Sequence, residues 1–156
     1  MKISYASNGI LQIDNARITY RNFEGRKEKY NNAGDRNFHL VIPNQELAEQ
    51  LIEDGWNVKI KPPRTSDETG FITMKVKVKF NARGPAIYLK SGDRVNRLDE
   101  ETVARLDKID IDSVDLDIRP YDWRDDDGEI GGRTAYLQSI YVTQVDDRFA
   151  ERYLAN

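Results

Sequence analysis

The sequence predicts a mainly β chain with two short helices, its strands closed into a five-stranded barrel carrying insertions. Three observations predict it. Segments such as FITMKVKVKF (71–80) and VDLDI (114–118) alternate apolar and polar residues, the period of a strand with one buried face. Stretches rich in Gly, Asn, Asp and Pro separate these segments. Only two short segments place apolar residues at helical spacing.

The first strand is expected at about 16–23, ARITYRNF. Ile18 and Tyr20 face the core there, and Arg17, Thr19, Arg21 and Phe23 face away. EGRKEKYNNAGD (24–35) is turn-rich and basic, so it reads as a long loop. RNFHLVI (36–42) is the second strand, with Phe38, Leu40 and Ile42 on one face. Asn44 then caps a short helix whose Leu47, Ala48, Leu51 and Ile52 line one side, and Gly55 ends it. WNVKIK (56–61) alternates, with Trp56, Val58 and Ile60 inward. PPRTSDETG (62–70) is a loop.

FITMKVKVKF sends Ile72, Met74, Val76, Val78 and Phe80 inward, and AIYLK (86–90) is a short strand. A second helix is expected over about 99–108, capped by Asp99 and packed through Val103 and Leu106. DIDSVDLDIRPYDW (110–123) buries Val114, Leu116 and Ile118, and Asp127-Gly128 marks a turn. RTAYLQSIYVTQV (133–145) completes the sheet, with a bulge where its alternation slips at Gln138-Ser139. A short helical tail is expected over 146–156. Strand, long loop, strand, strand, helix, strand, hairpin, strand is the order of an OB-fold. Its five strands would be 16–23, 36–42, 71–80, 110–121 and 133–145, and 44–61 would be an insertion. One OB-fold-like domain over 1–156, with its core at about 16–145, is therefore expected.

Composition narrows the function. At 156 residues, 38% apolar and 10% aromatic, the chain has material for a core. It has no cysteine, hence no disulfide framework. Neither a signal-peptide pattern at MKISYASNGI nor a membrane-length apolar run is present. A cytoplasmic location without membrane contact is expected. The net charge of −3 conceals a strong asymmetry. Residues 56–97 carry 10 basic and 3 acidic side chains, whereas 98–156 carry 7 basic and 16 acidic ones. So positive a block in an acidic chain calls for an anionic partner or an acidic neighbour.

Enzyme chemistry lacks parts. The one histidine, His39, lies mid-strand and reads as structural or surface, and no zinc ligand set or phosphate-binding glycine loop is visible. Asp125-Asp126-Asp127-Gly128 fails the EF-hand spacing, which would put Trp123 at the first ligand position, and reads as a solvated turn. Asp115 and Asp117 share the non-core face of their strand; pairing with lysines of a neighbouring strand, or facing solvent, outweighs a metal-dependent nuclease. No cofactor and no metal are expected.

Binding chemistry is better supplied. Lys75, Lys77 and Lys79 stand in a row, roughly 7 Å apart from the rise of a strand, a spacing close to the sugar–phosphate repeat of an extended single strand. Lys59 and Lys61 repeat the pattern, and Tyr88 and Lys90 follow. Lysines guarding an edge strand are the competing reading. Phe23 and Tyr30 in the loop region lack a core assignment, and Arg119, Tyr121 and Trp123 share a non-core face. Rings beside cations are what single-strand binding uses: bases stack, and phosphates meet Lys and Arg.

YRNFEGRKEKYNNAGDRNFHLVI, ELAEQLIEDGWNVK, VDLDIRPYDW and GGRTAYLQSIYVT resemble small bacteriophage-encoded OB-fold single-stranded DNA-binding proteins across most of 16–145. The resemblance implies an accessory of replication or recombination, in the host cytoplasm, that coats single-stranded DNA. Arg21, Lys59, Lys61, Lys75, Lys77, Lys79 and Lys90 would then meet phosphates, with Arg119 beside them, while Phe23, Tyr30, Tyr88, Tyr121 and Trp123 would stack bases. Replication or recombination proteins and further copies of the chain are the other expected partners. The ending RYLAN departs from the acidic tip of many such binders, which puts recruitment through the C-terminus in doubt. The rival reading is a phage structural or interaction component whose basic block docks the acidic region of another copy.

Overall fold

The structure, a computed structural model, describes residues 1–61 and 71–146. The expected loop at 62–70 and, beyond Asp146, the expected tail lie outside the described residues. Nine strands are described: β1 (Lys2–Tyr5), β2 (Leu11–Asn22), β3 (Arg36–Val41), β4 (Val58–Lys61), β5 (Phe71–Val78), β6 (Ala86–Ser91), β7 (Arg94–Leu98), β8 (Ile111–Arg124) and β9 (Ile130–Gln144). One helix, α1 (Gln45–Glu53), and a 3-10 turn at Val103–Asp107 accompany them.

Five strands close a barrel. β2 pairs antiparallel with β3, β3 with β5, β8 with β9 and β8 with β2. Parallel pairing of β5 with β9, Val76 to Ala135 and Lys77 to Tyr136, completes the circuit. This is the strand order expected for an OB-fold, on the strands expected to build it. The interior is filled by the alternating residues Met74, Val76 and Val78 of β5, Leu116 and Ile118 of β8, and Leu40 of β3. The register slips between Asp117 and Ile118, which face Ser139 and Leu137, so Gln138 is the extra residue of the expected bulge.

The remaining strands extend this sheet. β1 folds onto β2, and the β6–β7 hairpin lies along the C-terminal half of β9. β1 and β7 were not anticipated; they are short and largely exposed, so their patterns carry little apolar signal. β4 lies on one edge of β5 from Phe71 to Met74, and beyond Met74 that edge passes to β9.

Some sequence expectations need correction. The second helix is only a 3-10 turn, although Asp99 does accept the amides of Glu101 and Thr102 ahead of it. Ile52 and Ile60 are each 46% exposed rather than buried. They lie in the insertion, whose buried side is supplied by Ala48, Leu51 and Trp56. The largest correction is in β2. Its register slips between Thr19 and Asn22, and Tyr20 takes φ +48°. A bulge of this kind reverses which face later residues occupy. Tyr20, expected inside, is exposed, and Phe23, expected outside, is fully buried and stacked on Phe38.

Candidate nucleic-acid interface

The outer face of β3, β5 and the start of β9 forms a trough. Alternation along β5 and one residue past its end leaves Lys75, Lys77 and Lys79 exposed while Val76 and Val78 are buried. Neighbouring strands set the flanking residues by register. Lys75 stands beside His39, and Lys77 lies between Asn37 and Tyr136, which in turn faces Arg119. Three clefts run together along this face. The first holds Tyr20, His39, Lys61 and Lys29; it shares Tyr30 and Lys75 with the second. The second shares Lys79 and Tyr136 with the third, which ends at Arg83 and Arg119.

The loop between β2 and β3 forms one wall, and its own polar groups order it. Buried Asn22 accepts the amides of Gly25 and Arg26, and the side-chain amide of Asn31 donates to the carbonyls of Arg26, Asn32 and Asp35. Arg26 bridges Glu24, Glu28 and Asp107. Gly25, at φ +77°, lies against the backbone of Gly34, where a Cβ would come within 3.1 Å. This scaffold presents Tyr30 at 86% exposure, with the Lys29 ammonium 5.4 Å from its ring.

At one end of the trough, Tyr20 meets His39 and Phe71 edge to face, with ring centroids 5.3 and 6.0 Å apart, and Lys61 lies 5.7 Å from its ring. His39 is half-buried. Burial first, then the charges of Lys75 and Lys61, hold its imidazole below the ordinary value of 6.5. Toward the other end, the Arg119 guanidinium lies 5.2 Å from the Tyr136 ring, and Tyr121 meets that ring edge to face.

β8 and β9 continue past the barrel as an arm that carries Trp123. Its indole lies over Gly131 and Gly132, and a Cβ on Gly132 would come 2.7 Å from the ring, so this stretch must lack side chains. Trp123 is 47% and Tyr121 53% exposed. Arg133 fixes the arm to the insertion. It forms a two-point ion pair with Asp122, donates to the Asp54 carbonyl at 2.9 Å and stacks 4.9 Å from the Trp56 ring. The ion pair holds the Asp122 carboxyl below its ordinary value. Behind it the Trp56 indole donates to the Tyr5 hydroxyl, which donates to Asp54. Burial and then that bond to Asp54 push Tyr5 up to about 12.

The structure therefore brings Tyr30, Lys61, Lys75, Lys77, Lys79 and Arg119 to one trough, with Lys59 at its side and Tyr121 and Trp123 on the adjoining arm. Phe23 is removed to the core. Arg21 is committed elsewhere, donating to the carbonyls of Leu106 and Ile109 at 2.7 Å each. Tyr88 and Lys90 stand beside Tyr141 and Thr143, the former roughly 16 Å along β9 from Tyr136 at the rise of a strand, and line none of the three clefts. Sequence reasoning missed Tyr20, His39 and Tyr136. Tyr136 was available from alternation, between inward Ala135 and Leu137; Tyr20 was hidden by the bulge.

Among the described residues, no ion pair engages Lys75, Lys77 or Lys79. Of the two readings of Asp115 and Asp117, pairing with these lysines does not occur. Those carboxylates sit on β8 beside Tyr141 and Ser139, and accept the Asn15 amide and the Ser139 hydroxyl. The acidic face of β8 and the basic face of β5 are separated by β9.

A barrel in this strand order with a cationic, aromatic face defines an OB-fold of the oligonucleotide-binding type. Residues 2–156 match the family described as "Putative phage ssDNA-binding domain", and the chain belongs to that family. The fold is similar to the single-stranded DNA-binding protein from bacteriophage Enc34, at 13% identity and TM-score 0.56 over 98% of this chain and 99% of that one. The C-terminally truncated form of the Enc34 protein matches at 15% identity and TM-score 0.56, over 94% of this chain and 97% of that one. The same values of identity and TM-score hold for the Enc34 protein in complex with ssDNA, over 92% of this chain and 90% of that one. No curated protein matches the chain. No helix among the described residues is long and apolar enough to cross a membrane.

Proposed function

We propose that this chain is a non-enzymatic protein that binds single-stranded DNA with little sequence preference, as an accessory to phage DNA replication or recombination in the host cytoplasm. It acts as one domain over 1–156, with replication or recombination proteins and other copies of itself as further partners. The observation that carries the reading is the trough: unpaired lysines in a row along β5, flanked by Tyr20, Tyr30 and Tyr136. Phosphates of an extended strand would meet Lys61, Lys75, Lys77, Lys79 and Arg119. Bases would stack on the exposed rings, with Tyr121 and Trp123 taking the strand onto the arm. No base-specific pattern of donors is needed, so sequence preference is weak. The single-stranded DNA in the Enc34 complex adds support through the shared fold.

The test is a titration with labelled oligo(dT), read by intrinsic fluorescence. Trp56 is 3% exposed and Trp123 47%, so quenching belongs to Trp123, and Trp123→Ala should remove most of it. Quenching that survives Trp123→Ala and disappears in Trp56→Phe would place the strand elsewhere. Oligonucleotide left intact after long incubation with Mg²⁺ or Mn²⁺ is expected of a non-enzyme; metal-dependent cleavage lost in Asp115→Asn would overturn that part. No binding at low salt would leave the interaction-protein reading in its place.

A further inference from the structure

One cleft beside the trough has a different shape. β4 and β9 occupy the same edge of β5, β4 opposite Met74 and β9 opposite Val76, and they part at Lys75. The gap is a cleft of about 350 Å³ floored by Met74 and Ala135. Lys59 and Asn57 stand on the β4 side, Arg133 on the β9 side, and Lys75, Lys77 and His39 on the side shared with the trough. Its far end is bridged. Arg133 donates to the Asp54 carbonyl and stacks on Trp56, joining the segment ahead of β4 to β9. A strand that enters from the trough therefore meets this bridge at the far end.

We propose that this fork is a subsite for a strand end, holding the terminal nucleotide of a single strand by its phosphomonoester; it presupposes the single-strand reading above. An internal phosphodiester carries one negative charge, whereas a terminal phosphomonoester approaches two near neutral pH. Lys59, Lys75 and Lys77 concentrate positive charge around one small volume, and the Asn57 amide can donate to the third oxygen. The Arg133 guanidinium, charge-compensated by Asp122, bonded to the Asp54 carbonyl and stacked on Trp56, is a fixed wall and not a free cation. The apolar floor of Met74 and Ala135 suits a sugar or base. His39 lies at the junction of fork and trough, so a phosphate there would offset the lysine charges that, after burial, lower its affinity for a proton.

Three oligo(dT) strands of one length separate the outcomes: 5′-phosphorylated, 3′-phosphorylated and hydroxyl-ended. Their affinities are measured by anisotropy with the full chain at one fixed salt. One phosphorylated end should bind about tenfold tighter than the hydroxyl-ended strand, the scale of one hydrogen bond to a charged group. Asn57→Asp places a carboxylate in the fork and should bring that ratio close to one, with the far-ultraviolet spectrum unchanged. In a second measurement, dTMP should move the His39 imidazole resonances downfield at concentrations where thymidine does not. Equal affinity for all three strands, or a ratio untouched by Asn57→Asp, overturns the end subsite. Failure of the hydroxyl-ended strand to bind overturns instead the single-strand reading beneath it.

Discussion

Tyr20 and Phe23 exchange places across one bulge, and each now has a distinct expected phenotype. Phe23→Ala removes a fully buried ring from its stack on Phe38 and should cost about 3–5 kcal/mol of stability, read by denaturant melts. Tyr20→Ala removes a ring that is 56% exposed; it should leave the melt nearly unchanged and weaken oligo(dT) binding by about 1–3 kcal/mol. The opposite pattern would restore the uninterrupted alternation read from the sequence. His39 gives a pH dependence. Its folded value lies below 6.5, so the unfolded chain takes up its proton first as pH falls. Stability linked to His39 is complete above about 6.5 and is lost as pH drops through the depressed folded value. Phosphates beside Lys61 and Lys75 act in the other direction and raise the imidazole, so oligonucleotide affinity should increase as pH falls through and below about 6.5. His39→Gln should flatten that slope, as followed by anisotropy across the pH series.

β5 is the element in which sequence and site agree best. Alternation from Met74 onward leaves one solution: Met74, Val76 and Val78 in the barrel, lysines on the outside. Changing Lys75, Lys77 and Lys79 together to Gln keeps their length and should leave the melting temperature close to that of the parent. The slope of log K against log salt should shrink by ~2, from ~0.7 for each phosphate released on a single strand. An unchanged slope with a lower melting temperature would make the lysines structural. β8 and β9 were legible for the same reason as β5, including the bulge at Gln138, because a slip inside a long regular pattern shows itself. β2 was not, since its bulge falls at Tyr20-Arg21, where polar and aromatic residues fit either face. The loop wall was legible in composition only. Asn22 and Asn31 order it through short-range bonds that composition does not specify, and Arg26 adds a contact to Asp107, far away in sequence.

At the scale of the whole molecule, the modest net charge is the sum of two opposed faces. β5 carries its lysines on one side of β9, and β8 carries Asp112, Asp115 and Asp117 on the other. The sequence shows this division as blocks along the chain, but which block faces which is a property of the barrel's closure. The closure also places Tyr136 beside Lys77, a pairing between residues 77 and 136 that no local pattern announces. Arg133 was invisible for a similar reason, as its partners Asp54 and Trp56 come from one distant segment and Asp122 from another strand.

That closure between β5 and β9 consists of two residue pairs, Val76 with Ala135 and Lys77 with Tyr136, against the long ladder between β8 and β9. It is the barrel's weakest seam, and local opening should begin there well before global unfolding. A strand lying across Lys77 and Tyr136 would act as a clasp, fastening the two edges from outside. In native-state hydrogen exchange, those backbone amides of residues 76–78 and 135–137 that point across the seam should be the fastest in the barrel without ligand, and saturating oligo(dT) should slow them more than those of β2 and β3. Protection spread evenly over all five strands would mean that the ligand stiffens the barrel as a whole and leaves the seam no weaker than the rest.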